Sequence, residues 1–173
     1  STSRRQRQMC IRDRVITKEK INHIWCKVYR SVAPSTNWLI CGHGLGETGS
    51  SDGSQLDKVE THGYPKKAKE GFEFPFNIIA PQIHTNLDYW QLTSQNGNNN
   101  GWFVNHLKEV MGATDIIVTG LSLAGRGTWL MLVFDPKHYI KAIAPVCGYY
   151  EYSSSSVDIK DCLLYTSPSP RDS

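Results

Sequence analysis

Two short segments carry residue types that can do chemistry together. The first is Gly120-Leu121-Ser122-Leu123-Ala124-Gly125, which follows the β-branched run at residues 115–120 (DIIVTG) and leads into the apolar stretch at residues 123–134. A serine on so sharp a strand-to-helix turn is lifted above the sheet. Its hydroxyl then sits at a helix N-terminus, where the dipole favours a developing negative charge. Small residues two before and two after the serine are needed because the strained backbone presses on its neighbours. Gly120 meets that need, and Ala124 departs from the usual G-x-S-x-G by one methyl, with Gly125 directly after it. The pattern predicts a nucleophilic Ser122 on such an elbow, with a helix-capping serine as the alternative.

The second segment is Gly42-His43-Gly44-Leu45-Gly46-Glu47-Thr48-Gly49, after the apolar run at residues 37–41 (NWLIC). Acyl transfer needs backbone N–H donors aimed at an oxyanion, one from the residue after the nucleophile and one from a glycine-rich turn on a neighbouring strand. Leu123 and Leu45 can supply them. A rival reading exists, because Gly44, Gly46 and Gly49 also spell the dinucleotide fingerprint G-x-G-x-x-G. That fingerprint should open a helix at once and meet an acid after a second strand about twenty residues on. Polar residues 50–54 intervene instead, and no strand-like run ends at that distance. Dinucleotide binding and a plain tight turn stand as the alternatives.

The elements that must position these turns follow from apolar runs and breakers. Residues 23–32, 37–41, 76–80, 115–120 and 140–146 read as strands, the third ended by Pro81. Residues 55–61 read as a short helical piece stopped by Gly63 and Pro65, and residues 101–111 and 123–134 as helices. Residues 82–101 read as a long polar, mobile loop. Tyr89, Trp90 and Trp102 flank it and are candidate pocket walls, with core packing as the alternative. Strands alternating with helices predict an α/β fold, a mostly parallel sheet with helices on both faces. In such a sheet, function gathers at the carboxyl ends of the strands.

Both ends of the 173-residue chain are expected to be foreign to this domain. Residues 4–13 (RRQRQMCIRD) resemble, codon for codon, a translated transposase-type sequencing adapter, and residues 162–172 (CLLYTSPSPRD) resemble its partner at the opposite end. A basic nucleic-acid-binding arm and a Pro/Ser-rich linker are the alternatives. The expected division is residues 1–14 and 162–173 as adapter-derived and residues 15–161 as a partial domain. Within 15–161, thirteen Lys and Arg stand against fourteen Asp and Glu, so the formal charge of +3 becomes −1. No basic cluster is left to argue for nucleic acid. No run approaches the roughly 18 apolar residues of a membrane span. Cys26, Cys41 and Cys147 read as buried free thiols, with one pair still open. With the native start expected to be missing, no leader is readable and no compartment follows.

Residues 20–149 resemble the α/β-hydrolase superfamily, near the esterases that are similar to polyhydroxybutyrate depolymerases and, more distantly, the phospholipase/carboxylesterase family. GHGLGETG is similar to the HGAGERG turn of the former, with Thr48 in place of its arginine, and to the HGLGDTG turn of the latter. Residues 51–66 (SDGSQLDKVETHGYPK), 74–82 (FPFNIIAPQ), 118–129 (VTGLSLAGRGTW) and 140–148 (IKAIAPVCG) resemble successive segments of the first family in the same order. The resemblance implies a serine carboxylic-ester hydrolase that forms an acyl-enzyme at Ser122. It implies an oxyanion hole from the N–H groups of Leu45 and Leu123, a structural His43, and a Glu47 that steadies the turn through backbone hydrogen bonds. An ordinary exposed acid is the alternative for Glu47.

In this superfamily the triad follows in the order Ser, Asp or Glu, His. After Ser122 the domain holds one histidine, His138, expected to face solvent, while Asp158 and Asp161 have no histidine behind them. The expectation is therefore an inactive fragment with a bare sheet edge and face and poor solubility. No cofactor or metal is expected, and the partner is a small-molecule or polymer-linked ester. A non-catalytic module on the same fold, or a dinucleotide-binding domain using residues 44–49, are the other classes.

Overall fold

Six strands build one sheet, and each strand's residue pattern reflects its place there. β1 (Ile16–Ile21) alternates exposed and more buried positions, as a half-exposed edge strand does, and forms a hairpin with β2 (Ile24–Tyr29). β3 (Trp38–Gly42) is buried as far as Cys41 and leaves the sheet through a short 3₁₀ turn, Leu45–Glu47. A second 3₁₀ turn, Leu56–Glu60, precedes helix α1 (Gly63–Lys69) and the wholly buried β4 (Asn77–Gln82). A one-turn helix α2 (Trp90–Thr93), a two-residue-per-strand hairpin of β5 (Ser94–Gln95) and β6 (Asn98–Asn99), and α3 (Trp102–Glu109) follow. β7 (Ile116–Leu121), α4 (Leu123–Val133) and β8 (Ile140–Val146) complete the order. The computed structural model describes residues 15–84, 89–95 and 98–148, with backbone alone at 90, 91, 95 and 99. The two expected foreign ends, Asp158 and Asp161 lie outside the described residues.

The strand order is β1-β2-β4-β3-β7-β8. β4, β3, β7 and β8 run parallel, while β1 and β2 add antiparallel at one side. Period-two alternation divides the core between the faces. Ile40, Ile79 and Val118 pack with Phe103, Leu107 and Met131 on one face. Leu39, Cys41, Ile78 and Ala80 pack with Leu56, Val59 and Ala68 on the other. There, Tyr29 donates to Glu60 at 2.7 Å and Lys27 lies 3.3 Å from Glu60, fastening the second 3₁₀ turn to β2.

Several expectations are corrected. β1 lies upstream of the expected first strand, hidden because its lysines face water. Gly63 and Pro65 do not stop a helix but open α1, where a first-turn proline lacks only an N–H with no intrahelical acceptor. β4 runs through Pro81, because past Ile79 it has only β2 beside it and behaves as an edge. The expected loop at 82–101 contains α2 and the hairpin, with Tyr89 and Leu92 buried. Cys26 and Cys41 are buried free thiols as expected, but Cys147 is exposed. Among the described residues, the second face is covered only over β2, β4 and β3. Its continuation on β7 and β8 leaves Ile117 at 42% and Val146 at 48% exposure.

Candidate functional site

The parallel pairing of β3 with β7 puts Gly42 directly opposite Gly120. The two glycine-rich turns therefore leave the sheet side by side, at the carboxyl ends of their strands. Ser122 lies at the join of β7 and α4 with φ 53° and ψ −106°, a conformation that costs a non-glycine residue about 1–3 kcal/mol unless its surroundings hold it. Its N–H donates to the Val146 carbonyl at 2.8 Å, which supplies part of that hold. Ser122 is exposed, and although it occupies the N-cap position its side chain makes no capping hydrogen bond.

The elbow is fitted by absences of side chain. A Cβ on Gly120 would meet the Ala124 methyl, and a Cβ on Gly42 would meet that methyl too. Ala124, the residue that departs from G-x-S-x-G, thus occupies space vacated by two glycines on adjacent strands. Gly125 packs its backbone against that of Gly148, leaving no room for a side chain on either. The small residue that the sequence motif asks for is in effect shared between 124 and 125.

The facing turn is held by polar contacts. The His43 ring accepts the Ile83 N–H at Nε2 (2.9 Å), so its own proton sits on Nδ1, 2.7 Å from the Gly44 carbonyl that accepts it. Burial pushes the His43 pKa down, against the bond to Gly44 and the charge of Glu47. Both ring nitrogens are occupied, which leaves His43 a structural role. Leu45 opens the 3₁₀ turn and Leu123 opens α4, so neither N–H has an acceptor within its own helix. Leu45 and Gly46 are exposed.

A cavity of about 240 Å³ opens between the turns on the α1 face. Cys41, Val59, Pro65 and Val146 form apolar walls, with Gly44 and Leu121 beside Ser122, and Glu47, His62 and Tyr64 also line it. The Glu47 carboxylate bonds no backbone group of its turn among the described residues; its partner is His62 Nε2, 3.5 Å away. His62 and Tyr64 were not singled out by sequence, since residues 62–65 read only as a helix stop. Tyr89 and Trp102, expected as pocket walls, are core residues at 1% and 5% exposure, and neither lines this cavity. The Trp90 side chain lies outside the described residues. The glycine fingerprint at 44–49 opens a three-residue 3₁₀ turn instead of an α-helix, and Gly49 is pressed against the Gln82 side chain. His138 is exposed beyond the far end of α4, about 16 Å of helix from Ser122.

No group of three or more side chains able to hold a metal occurs among the described residues, and no described helix is long and apolar enough to cross a membrane. No family model matches the chain, and no curated protein matches it. Among solved structures, a thermostable esterase is similar at TM-score 0.51 and 19% identity, over 83% of this chain and 43% of that one. An arylesterase is similar at TM-score 0.50 and 15% identity, over 83% of this chain and 48% of that one. At these identities the likeness establishes the fold: the chain has the α/β-hydrolase fold and spans less than half the length of either structure.

Proposed function

We propose that the domain is the nucleophile-bearing part of a serine carboxylic-ester hydrolase, with Ser122 as nucleophile and the N–H groups of Leu45 and Leu123 as oxyanion donors. The observation that carries this reading is the strained, exposed, uncapped Ser122 at a strand-to-helix turn, side by side with a second turn rich in N–H groups. Ser122 Oγ attacks the ester carbonyl, the developing oxyanion is met by the two helix-start N–H groups, and the alcohol leaves to give an acyl-enzyme that water hydrolyses. The adjoining cavity supports a short acyl group, being smaller than the ligand sites of about 300 Å³ and more that hold larger molecules. The similar esterases add support at the level of fold.

A serine needs a base to take its proton. Among the described residues no histidine is hydrogen-bonded to Ser122 Oγ, and neither the engaged His43 nor the distant His138 can serve. The chain is therefore expected to show no sustained turnover, and the triad acid is assigned to neither Asp158 nor Asp161.

External imidazole can stand in for the missing base. Fluorophosphonate labelling in imidazole buffer, mapped by peptide mass spectrometry, is expected to give an imidazole-dependent adduct at Ser122 and none in Ser122→Ala. Absence of any adduct would favour a non-catalytic module on this fold. Hydrolysis of p-nitrophenyl acetate or butyrate without imidazole, lost in Ser122→Ala, would mean that a base exists within the chain. His62→Ala is then the first variant to make, since His62 alone of the described histidines other than His43 lines the cavity.

A further inference from the structure

We propose that Tyr89 is a positioning residue that clamps the oxyanion turn to the elbow helix and so fixes where the Leu45 N–H stands relative to Ser122. The inference rests on the esterase reading for its effect on rate, but its geometry stands alone. β3 pairs with β4 only as far as Ile40 and with β7 only as far as Gly42. At His43 the backbone has left both ladders while remaining buried, and a buried N–H and C=O without partners are rarely tolerated. One hydroxyl serves both. The His43 N–H donates to Tyr89 Oη at 2.7 Å, and the Tyr89 hydroxyl donates to the His43 carbonyl at 3.1 Å.

The rest of the Tyr89 side chain is wedged into α4. A Cβ on Gly127 would overlap its ring, and a Cβ on Gly42 would meet its hydroxyl, so both glycines make room for it. The ring is buried within the same core cluster as Ala124 and Met131 of the elbow helix. The backbone of the turn is thus tied through Tyr89 to the helix that begins just after Ser122, while the His43 imidazole ties it to Ile83, just past the end of β4. Oxyanion donors work only when held within about half an ångström of their productive position. A Tyr89→Phe substitution keeps the ring and frees the turn.

The test compares wild type, Tyr89→Phe and Tyr29→Phe. The last also deletes a buried hydroxyl, the one bonded to Glu60, and neither Tyr29 nor Glu60 lines the cavity. In wild type the His43 amide should exchange with solvent as slowly as that of Ile40; a fast-exchanging His43 amide overturns the clamp without any variant. In Tyr89→Phe, exchange at His43 and Glu47, whose amides are bonded in the turn, should speed up at least tenfold. The limiting rate of imidazole-assisted phosphonylation of Ser122 should fall about 10- to 100-fold, with the half-saturating reagent concentration unchanged. An unchanged rate in Tyr89→Phe, or an equal loss in Tyr29→Phe, overturns the positioning role. If wild type forms no Ser122 adduct, the esterase reading falls instead, and the exchange data alone decide the clamp: faster exchange upholds it, and unchanged exchange refutes it.

Discussion

The two turns that meet beside Ser122 keep their shapes by different physics. The turn at residues 120–125 is a matter of excluded volume: Ala124 fills the space left by Gly42 and Gly120, and Gly125 lies on Gly148. The turn at residues 42–47 is a matter of polar bonds from far along the chain, Tyr89 on one side and Ile83 on the other, meeting at His43. A steric fit is indifferent to pH and intolerant of one methyl. A hydrogen-bonded fit tolerates small changes of size but fails when a donor or acceptor is lost or protonated.

The sharpest way to break the contrast is Gly125→Ala. Its new methyl would press on the backbone of Gly148, which has no side chain to swing aside. A stability loss of about 3 kcal/mol is expected, the upper end for overpacking by so small a group, read from the urea unfolding midpoint. A loss of under about 0.5 kcal/mol, within the range of a surface substitution, would show slack in the elbow. Next in size is His43→Leu, which leaves the buried Ile83 N–H without its acceptor. About 2 kcal/mol should be lost in the same measurement.

The pH dependence separates the turns more cleanly. Burial holds the His43 pKa below its ordinary 6.5, so the unfolded chain takes up a proton before the folded one does. The contribution of neutral His43 is therefore complete above pH 6.5 and is lost as pH falls below it, at no more than about 1.4 kcal/mol per unit, until the folded-state value is reached. Urea unfolding at pH 7.5 and 5 should show this slope in wild type and a shallower one in His43→Leu. His23 and His106, also held low by burial, act with the same sign in both proteins and cancel in the difference. Burial would raise the Glu60 carboxyl, but bonds from Lys69 and Tyr29 and the charge of Lys27 keep it low and ionised across that window. Equal slopes in the two proteins would mean that His43 does not couple its turn to pH. The smallest effect is expected for Ala124→Gly, about 1 kcal/mol of helix propensity and about 0.8 kcal/mol for one buried methyl, read from the urea unfolding midpoint.

Sequence reading found the parts of this site that are contiguous in the chain. β3, β7 and β8 announce themselves as apolar runs ending at turn residues, and the elbow follows from a serine among small residues after such a run. The fold class follows from the same alternation. What the sequence hides is whatever depends on partners far away. Tyr89 reads as one more aromatic beside a polar loop, and nothing local marks it as the partner of a backbone group 46 positions earlier. Glu47 reads as a brace for its own turn, yet it faces His62. β1 and α1 were obscured for a simpler reason: exposed lysines mask an edge strand, and proline is a breaker everywhere except in the first turn.

The hydrogen bond from Ser122 to Val146 has a consequence in time as well as in space. β8 is the last strand of the described sheet, and the ends of such strands open locally at a fraction of the global unfolding free energy. Each time that end frays, Ser122 loses one of the contacts that keep its backbone in a sparsely populated region. Its strained backbone geometry thus has a lifetime, and that lifetime belongs to the opening of a neighbouring strand.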